Sequence, residues 1–262
     1  MKIAIAGCGN IGETYARTFL KLDGVEIVLL ARDEAQAEKL KLKNLGKVIP
    51  YGDEIKSCNV VVLSVKPQEF LNVGKSLHRK MGEGAILISV MAGITISQIQ
   101  HELEHQQVLR TMPNAAVEVG LGMTGITASK EVTDENRKKA EALLAGTGKT
   151  FYFNDERLLD AVTALSGSGP AYFYYMLKYM GEAGVKMGMD EATAVMLARQ
   201  TMLGAVHLYD KSGKTPAELI SVVASKGGTT EAALRVFENT QVGTNIAEGI
   251  LQACQRAQEL SK

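Results

Sequence analysis

The feature that most constrains this chain is Gly7-Cys8-Gly9-Asn10-Ile11-Gly12, lodged between a short apolar run, Lys2–Ala6, and a helical repeat. The repeat sets Ile11, Tyr15, Phe19 and Leu22 at helical spacing. A strand that turns into a helix through three spaced glycines restricts the fold to one assembled from strand–turn–helix units. The first glycine permits the tight turn, the second lets a ligand approach the backbone, and the third lets helix and strand pack closely. Free N–H groups and the positive end of a helix dipole at such a junction suit a pyrophosphate. Gly7, Cys8, Gly9, Asn10, Ile11 and Gly12 are therefore candidates to hold a dinucleotide.

The rest of the first half repeats the unit. Val25–Leu30, Val60–Val65 and Ala85–Val90 read as further strands, with weaker candidates at Val108–Thr111 and Gly125–Ala128. The unbroken apolar run Val60-Val61-Val62-Leu63 suits a strand buried on both faces. Strands alternating with helices predict a mostly parallel, doubly wound α/β sheet of the Rossmann-like kind. After Asn154 the strand pattern stops, and helices are predicted over about 155–165, 170–187, 191–210, 216–224, 230–238 and 243–260. Met180, Met187, Met189, Met196 and Met202 fall within them as gap-filling side chains. The expected division is a dinucleotide-binding domain over 1–153 and an all-α domain over 154–262. These helices form a bundle alone or complete their core against a second subunit, and the number of apolar stripes favours the second.

The 262 residues suffice for these two parts, and 29 basic residues against 29 acidic ones give no net charge. That balance argues against a nucleic-acid or membrane-surface partner. No apolar run approaches the roughly 18–20 residues of a membrane span. Cys8, Cys58 and Cys254 stand in no paired spacing, as expected of a reduced, cytoplasmic protein.

Cofactor preference is written at the end of the second strand, where an acidic residue suits a ribose 2′-hydroxyl and an arginine a 2′-phosphate. Ala31-Arg32-Asp33 places Arg32 there, which favours NADP, with NAD possible. Ligands in open parallel sheets lie at the carboxyl ends of strands. Ser64-Val65-Lys66-Pro67, Met91-Ala92-Gly93 and Asn114 are thus candidates to line the nicotinamide.

Two motifs are decoys. His101-Glu102-Leu103-Glu104-His105 matches a zinc-peptidase pattern, but Ile96, Ile99 and Leu103 form the apolar face of that helix. Both histidines are expected to face solvent, and no metal is assigned. Leu165-Ser166-Gly167-Ser168-Gly169-Pro170 approaches a nucleophile elbow but has Ser166 where glycine is required. It is expected to start a helix, with Ser168 as N-cap and Pro170 in the first turn.

Far downstream, Ser225-Lys226-Gly227-Gly228-Thr229-Thr230-Glu231 opens the helical pattern of Ala232, Ala233, Leu234 and Phe237. Its loop-to-helix geometry suits a small carboxylate. The stretch from Pro216 to Glu238 that contains it resembles the signature of pyrroline-5-carboxylate reductase. Ala161-Val162-Thr163-Ala164-Leu165-Ser166-Gly167-Ser168-Gly169-Pro170-Ala171-Tyr172 is similar to a second motif of that family. The glycine loop, Val65-Lys66-Pro67 and Ala92-Gly93 follow its expected order. The resemblance implies reduction of 1-pyrroline-5-carboxylate to L-proline by NADPH or NADH, the last step of proline biosynthesis. It implies a Rossmann domain followed by a helical dimerisation domain, with assembly into decamers in many members. It also implies that Thr230 hydrogen-bonds the ring nitrogen, that backbone N–H groups of Gly228, Thr229 and Thr230 hold the carboxylate, and that Glu156 approaches the substrate. Val222 stands where some members carry asparagine.

Rival readings are another Rossmann-plus-helical hydroxyacid or ketoacid dehydrogenase, or a non-catalytic dinucleotide-binding interaction protein. The first requires an acid/base such as Lys178 or Lys186, both in apolar-striped helices and better read as snorkelling stems. The second is disfavoured by the intact Gly-Gly-Thr-Thr segment.

Overall fold

A computed structural model of the chain describes residues 1–261. It separates into two compact units, Met1–Ser168 with the chain from Ala253 onward, and Gly169–Gln252. Strands stop near residue 152, but the first unit runs on to Ser168, because α6 (Leu158–Val162) packs on the sheet.

The first unit holds one eight-stranded sheet: β1 (Lys2–Ala6), β2 (Glu26–Ala31), β3 (Lys47–Pro50), β4 (Val60–Leu63), β5 (Ile86–Ser89), β6 (Val108–Pro113), β7 (Gly122–Ala128) and β8 (Gly148–Tyr152). The order is β3-β2-β1-β4-β5-β6-β7-β8, parallel throughout except the antiparallel β6–β7 pair. The order reverses direction between β1 and β4, the switch point at which such sheets open a crevice. Alternation along β1 divides the core. Ile3 and Ile5 face Tyr15, Phe19, Leu143 and Leu144, from α1 (Asn10–Phe19) and α5 (Asp134–Ala145). Ala4 and Ala6 face Phe70, Leu77, Ile99 and Leu103, from α3 (Phe70–Leu77) and α4 (Ile96–Leu103). The mostly parallel α/β sheet is as expected, with two more strands. β3 and β8 carry no apolar run, because an edge strand needs only half its face covered. Pro50 is tolerated in β3 for the same reason.

From Leu158 to Lys186 the chain is almost continuously helical: α6, a π segment over Thr163–Gly167, then α7 (Gly169–Lys186). Ser168 has φ −82° and ψ −17° and its N–H bonds Thr163 O. It therefore lies inside the helical run and is not the extended N-cap expected of it. In the second unit α7 packs on α8 (Glu191–Ser212) through a seam of small residues. A Cβ on Gly184 would stand 2.6 Å from that of Ala194, so glycine there sets how closely the two helices approach. α9 (Pro216–Val223) and α10 (Thr229–Asn239) follow with no residue buried, and α11 (Val242–Leu260) begins in the second unit and belongs to the first from Ala253. No helix among the described residues is long and apolar enough to cross a membrane.

Candidate functional site

The sheet unit gathers three loops along one edge. Because β1, β4 and β5 run parallel side by side, their carboxyl ends bring the Gly7–Gly12 loop, Ser64–Pro67 and Met91–Gly93 together. Ser64 N–H bonds Ala6 O at 2.8 Å, and Val90 N–H bonds Leu63 O at 3.0 Å, stitching the loop roots. Gly7 takes φ +90°, and a Cβ on it would lie 2.5 Å from Ser64 O. A Cβ on Gly12 would lie 2.1 Å from Gly7 O, so α1 rests directly on its own loop. Nothing stands within 4 Å of the Cβ position of Gly9, the open face of the turn. No side chain caps α1. The first bond onto its N-cap residue is Glu13 N–H to Gly9 O, leaving the first-turn N–H groups at Asn10, Ile11 and Gly12 for a ligand. Cys8 is half-buried and burial pushes its thiol up, so it offers backbone rather than a thiolate. This cradle fits a pyrophosphate.

The cleft beyond the loop is lined by Gly7, Arg32, Tyr51, Val65, Glu69 and Asn72, among others. Asp33 caps α2 (Glu34–Lys41): its Oδ1 accepts Gln36 N–H at 2.7 Å, and its Oδ2 accepts Arg32 Nε at 3.2 Å. That backbone bond, with Arg32 behind it, holds the Asp33 carboxyl below its usual range. Asp33 thus serves the helix start through Oδ1 and Arg32 through Oδ2. The Arg32 guanidinium is exposed, with Nη1 3.7 Å from Glu69. Tyr51 is pushed up to about 12 by burial and by the charge of Glu69. Tyr51 and Glu69 escape a sequence reading because neither sits in a motif; only the sheet order carries them to the crevice. Of the nicotinamide-side candidates, Met91 and Gly93 are buried, Val65, Pro67 and Ala92 are partly covered, and Lys66 is exposed.

Two polar candidates turn inward. Asn114 Oδ1 accepts the N–H groups of Ala116 and Met123, each at 3.2 Å, and its Nδ2 donates to Ser166 Oγ at 3.4 Å. Its amide braces the turn after β6. Glu156 Oε1 accepts Ile96 N–H at 2.8 Å and Arg110 Nη1 at 3.0 Å. Arg110, 1% exposed in the middle of β6, also donates to Asp160 Oδ1 at 3.3 Å. Glu156 thus answers a buried guanidinium through Oε1, a contact the sequence did not announce. An arginine inside an otherwise apolar strand was the available signal, because such a charge requires acidic partners.

One of the two histidines departs from expectation. Glu104 takes a left-handed conformation and ends α4 at Leu103, so His105 leaves the helix. It is 6% exposed, with Nε2 2.8 Å from Ala85 O, and burial lowers its pKa. His101 stays on the helix, exposed.

In the helical unit, Gly227 takes φ +75°, and a Cβ on Gly228 would lie 2.6 Å from Ser225 Oγ. The paired glycines let the chain double back before α10. Gly227 N–H bonds Glu231 Oε2 at 2.7 Å, which braces the turn. No side chain caps α10, and Ala232 N–H to Gly228 O is the first bond onto its N-cap residue. The N–H groups of Thr229, Thr230 and Glu231 precede it. Glycine therefore stands at the N-cap of both α1 and α10, where α2, α4, α5, α8 and α9 use Asp or Thr side chains. Lys178 pairs with Glu182 at 3.7 Å and Lys186 is exposed at the end of α7.

Comparison with known proteins decides the family. The chain is 36% identical over 264 residues to "Pyrroline-5-carboxylate reductase" of Haemophilus influenzae, covering 98% of this chain and 97% of that one. The chain belongs to the pyrroline-5-carboxylate reductase family. Residues 156–260 match the family's dimerisation domain, and residues 2–93 match the family described as NADP oxidoreductase, coenzyme F420-dependent. Among solved structures, 1-pyrroline-5-carboxylate reductase of Streptococcus pyogenes superposes with a TM-score of 0.90 at 29% identity, covering 99% of this chain and 98% of that chain. The pyrroline carboxylate reductase of Plasmodium falciparum, solved with NADP bound, shares the fold: TM-score 0.88, 22% identity, 100% of this chain and 98% of that chain.

Proposed function

We propose that this member of the family reduces 1-pyrroline-5-carboxylate to L-proline, with NADPH as the preferred donor and NADH accepted. The observation that carries the reading is the near full-length match, which takes in both the α1 loop and the α10 start. The bound nicotinamide supplies hydride to the imine carbon; everything else is binding and orientation by this chain. Gly7–Gly12 present backbone N–H groups to the pyrophosphate, and Arg32 meets a 2′-phosphate as Asp33 holds it in place. Val65, Lys66, Pro67 and Met91–Gly93 form the nicotinamide side of the crevice, with Ser64 at its root and Asn114 bracing its far end. On α10, the N–H groups around Gly228, Thr229 and Thr230 take the substrate carboxylate. The Thr230 hydroxyl bonds the ring nitrogen and polarises the imine; its high pKa suits it to hydrogen bonding, and water or the substrate supplies the proton.

The chain acts as a homo-oligomer, a dimer through its helical unit with decamers as the larger assembly implied by the family. We place it in the cytoplasm, in keeping with its three free cysteines. The test is NADPH and NADH oxidation by the purified chain with pyrroline-5-carboxylate, proline being identified as product. Turnover of a hydroxyacid with NADP in place of imine reduction overturns the assignment.

A further inference from the structure

The crevice has a buried support that no role assigned so far requires. Arg110 is sealed in β6 and grips two carboxylates, Glu156 in the turn before α6 at 3.0 Å and Asp160 within α6 at 3.3 Å. Each carboxylate has a second partner. Glu156 Oε1 takes the N–H of Ile96, the first residue of α4, at 2.8 Å. Asp160 Oδ1 lies 3.2 Å from the hydroxyl of Ser261, whose single proton it shares with Ala257 O at 3.0 Å. These two end-points flank one loop. Ile96 follows Met91–Thr95 directly, and the carbonyl of Leu260 abuts its middle: a Cβ on Gly93 would stand 2.6 Å from Leu260 O. Gly93 has φ +74°, so the loop both needs a glycine and lacks room for any other residue.

A buried ion triad is a poor source of net stability, because desolvation offsets its Coulomb attraction and well-packed apolar side chains often do as well. What a triad does supply is geometry: each charge accepts few arrangements, and each partner is fixed in turn. We propose that Arg110 is a positioning residue: by holding Glu156 on the start of α4 and Asp160 on Ser261, it clamps the Met91–Thr95 loop from both sides and so sets the nicotinamide wall. This rests on the reading of that loop as part of the cofactor crevice. It also gives Leu260 and Ser261 a task, as a strut beneath the loop.

The test uses the full chain with Glu156→Gln, Asp160→Asn and Ser261→Ala, because Arg110 variants risk misfolding. Hydrogen exchange is followed at residues 93–96, and calorimetry measures binding of NADPH and of 2′,5′-ADP, which lacks the nicotinamide half. The expected result is exchange at least tenfold faster in this segment in each variant. NADPH affinity falls three- to tenfold while 2′,5′-ADP binds as before, and KM for NADPH rises more than kcat falls. Parent-like exchange in all three variants overturns the proposal. So does proportional loss of both ligands, which marks general destabilisation. A rise in KM for pyrroline-5-carboxylate confined to Glu156→Gln overturns it in favour of direct substrate contact. Faster exchange with an unchanged ratio of NADPH to 2′,5′-ADP affinity upholds the clamp and removes the loop from the cofactor site.

Discussion

In the sheet unit every residue of β1 from Ile3 to Ala6 is sealed from solvent. In the helical unit Tyr174 of α7 is 67% exposed, and Phe173, Tyr175, Leu203, Val206 and Phe237 stand half open or more. The first unit covers both faces of its sheet with its own helices. The second buries mainly glycine and alanine, at the α7–α8 seam, and leaves its large apolar side chains outside. A monomer seldom leaves so many large apolar side chains open to solvent. The contrast teaches that one half of the chain is complete as a fold, whereas the other is built to be covered, in keeping with its match to a dimerisation family. Stability of the first is expected to be independent of protein concentration, and stability of the second to rise with it.

The largest effect that probes this contrast is Arg110→Met in the sheet unit. Removing the guanidinium leaves two partly buried carboxylates without their counter-charge, each keeping one other hydrogen bond, and is expected to cost about 3 kcal/mol. Urea unfolding should give the same loss at every protein concentration, and a concentration-dependent loss would break the distinction. Next is Thr230→Ala in the helical unit, expected to lower kcat by roughly 10²-fold, as for loss of one transition-state donor. Its melting temperature should stay near that of the parent; near-full activity would remove Thr230 from the site. Leu203→Glu places a charge on the open face of α8 and should weaken self-association by roughly 2 kcal/mol or more, read by sedimentation velocity. NADPH binding to the sheet unit should survive, which sharpens the claim that this half stands alone.

Smaller again, Arg32→Ala should weaken NADPH by about tenfold relative to NADH, the worth of one charge-assisted contact. Equal loss of both in a titration would sink the 2′-phosphate reading. The smallest effect belongs to His105, whose folded pKa lies below its ordinary value because it is buried. Below about pH 6.5 the unfolded chain takes up a proton that the folded chain resists, so stability falls as pH drops through that value. His105→Gln should flatten this acid-side slope in melts recorded between about pH 5 and 7, and an unchanged slope would assign it to other groups.

Legibility followed physical necessity. β1, β2, β4 and β5 announce themselves because strands covered on both faces admit little but apolar residues. β3 and β8 stay silent because edges tolerate Lys47, Pro50 and Lys149. Gly7 and Gly12 are readable because a side chain there would strike neighbouring backbone, and Gly227 because its φ of +75° favours glycine. Glu156 and His105 are not readable. One depends on an arginine 46 residues away, the other on a left-handed residue that ends α4 one residue before it.

The sequence by itself determined the strand–turn–helix beginning, the switch to helices after residue 154, and the two glycine-marked helix starts. Those rest on local rules: side-chain period, turn sterics and unpaired N–H groups. Tertiary structure alone decided which polar groups remain available at the crevice. Asp33 caps a helix, Asn114 braces a turn and Glu156 pairs with Arg110 through one oxygen, while Arg32 stays exposed. A polar side chain serves a ligand or the fold according to which partner reaches it first, and partners distant in sequence are brought close only by the packed sheet.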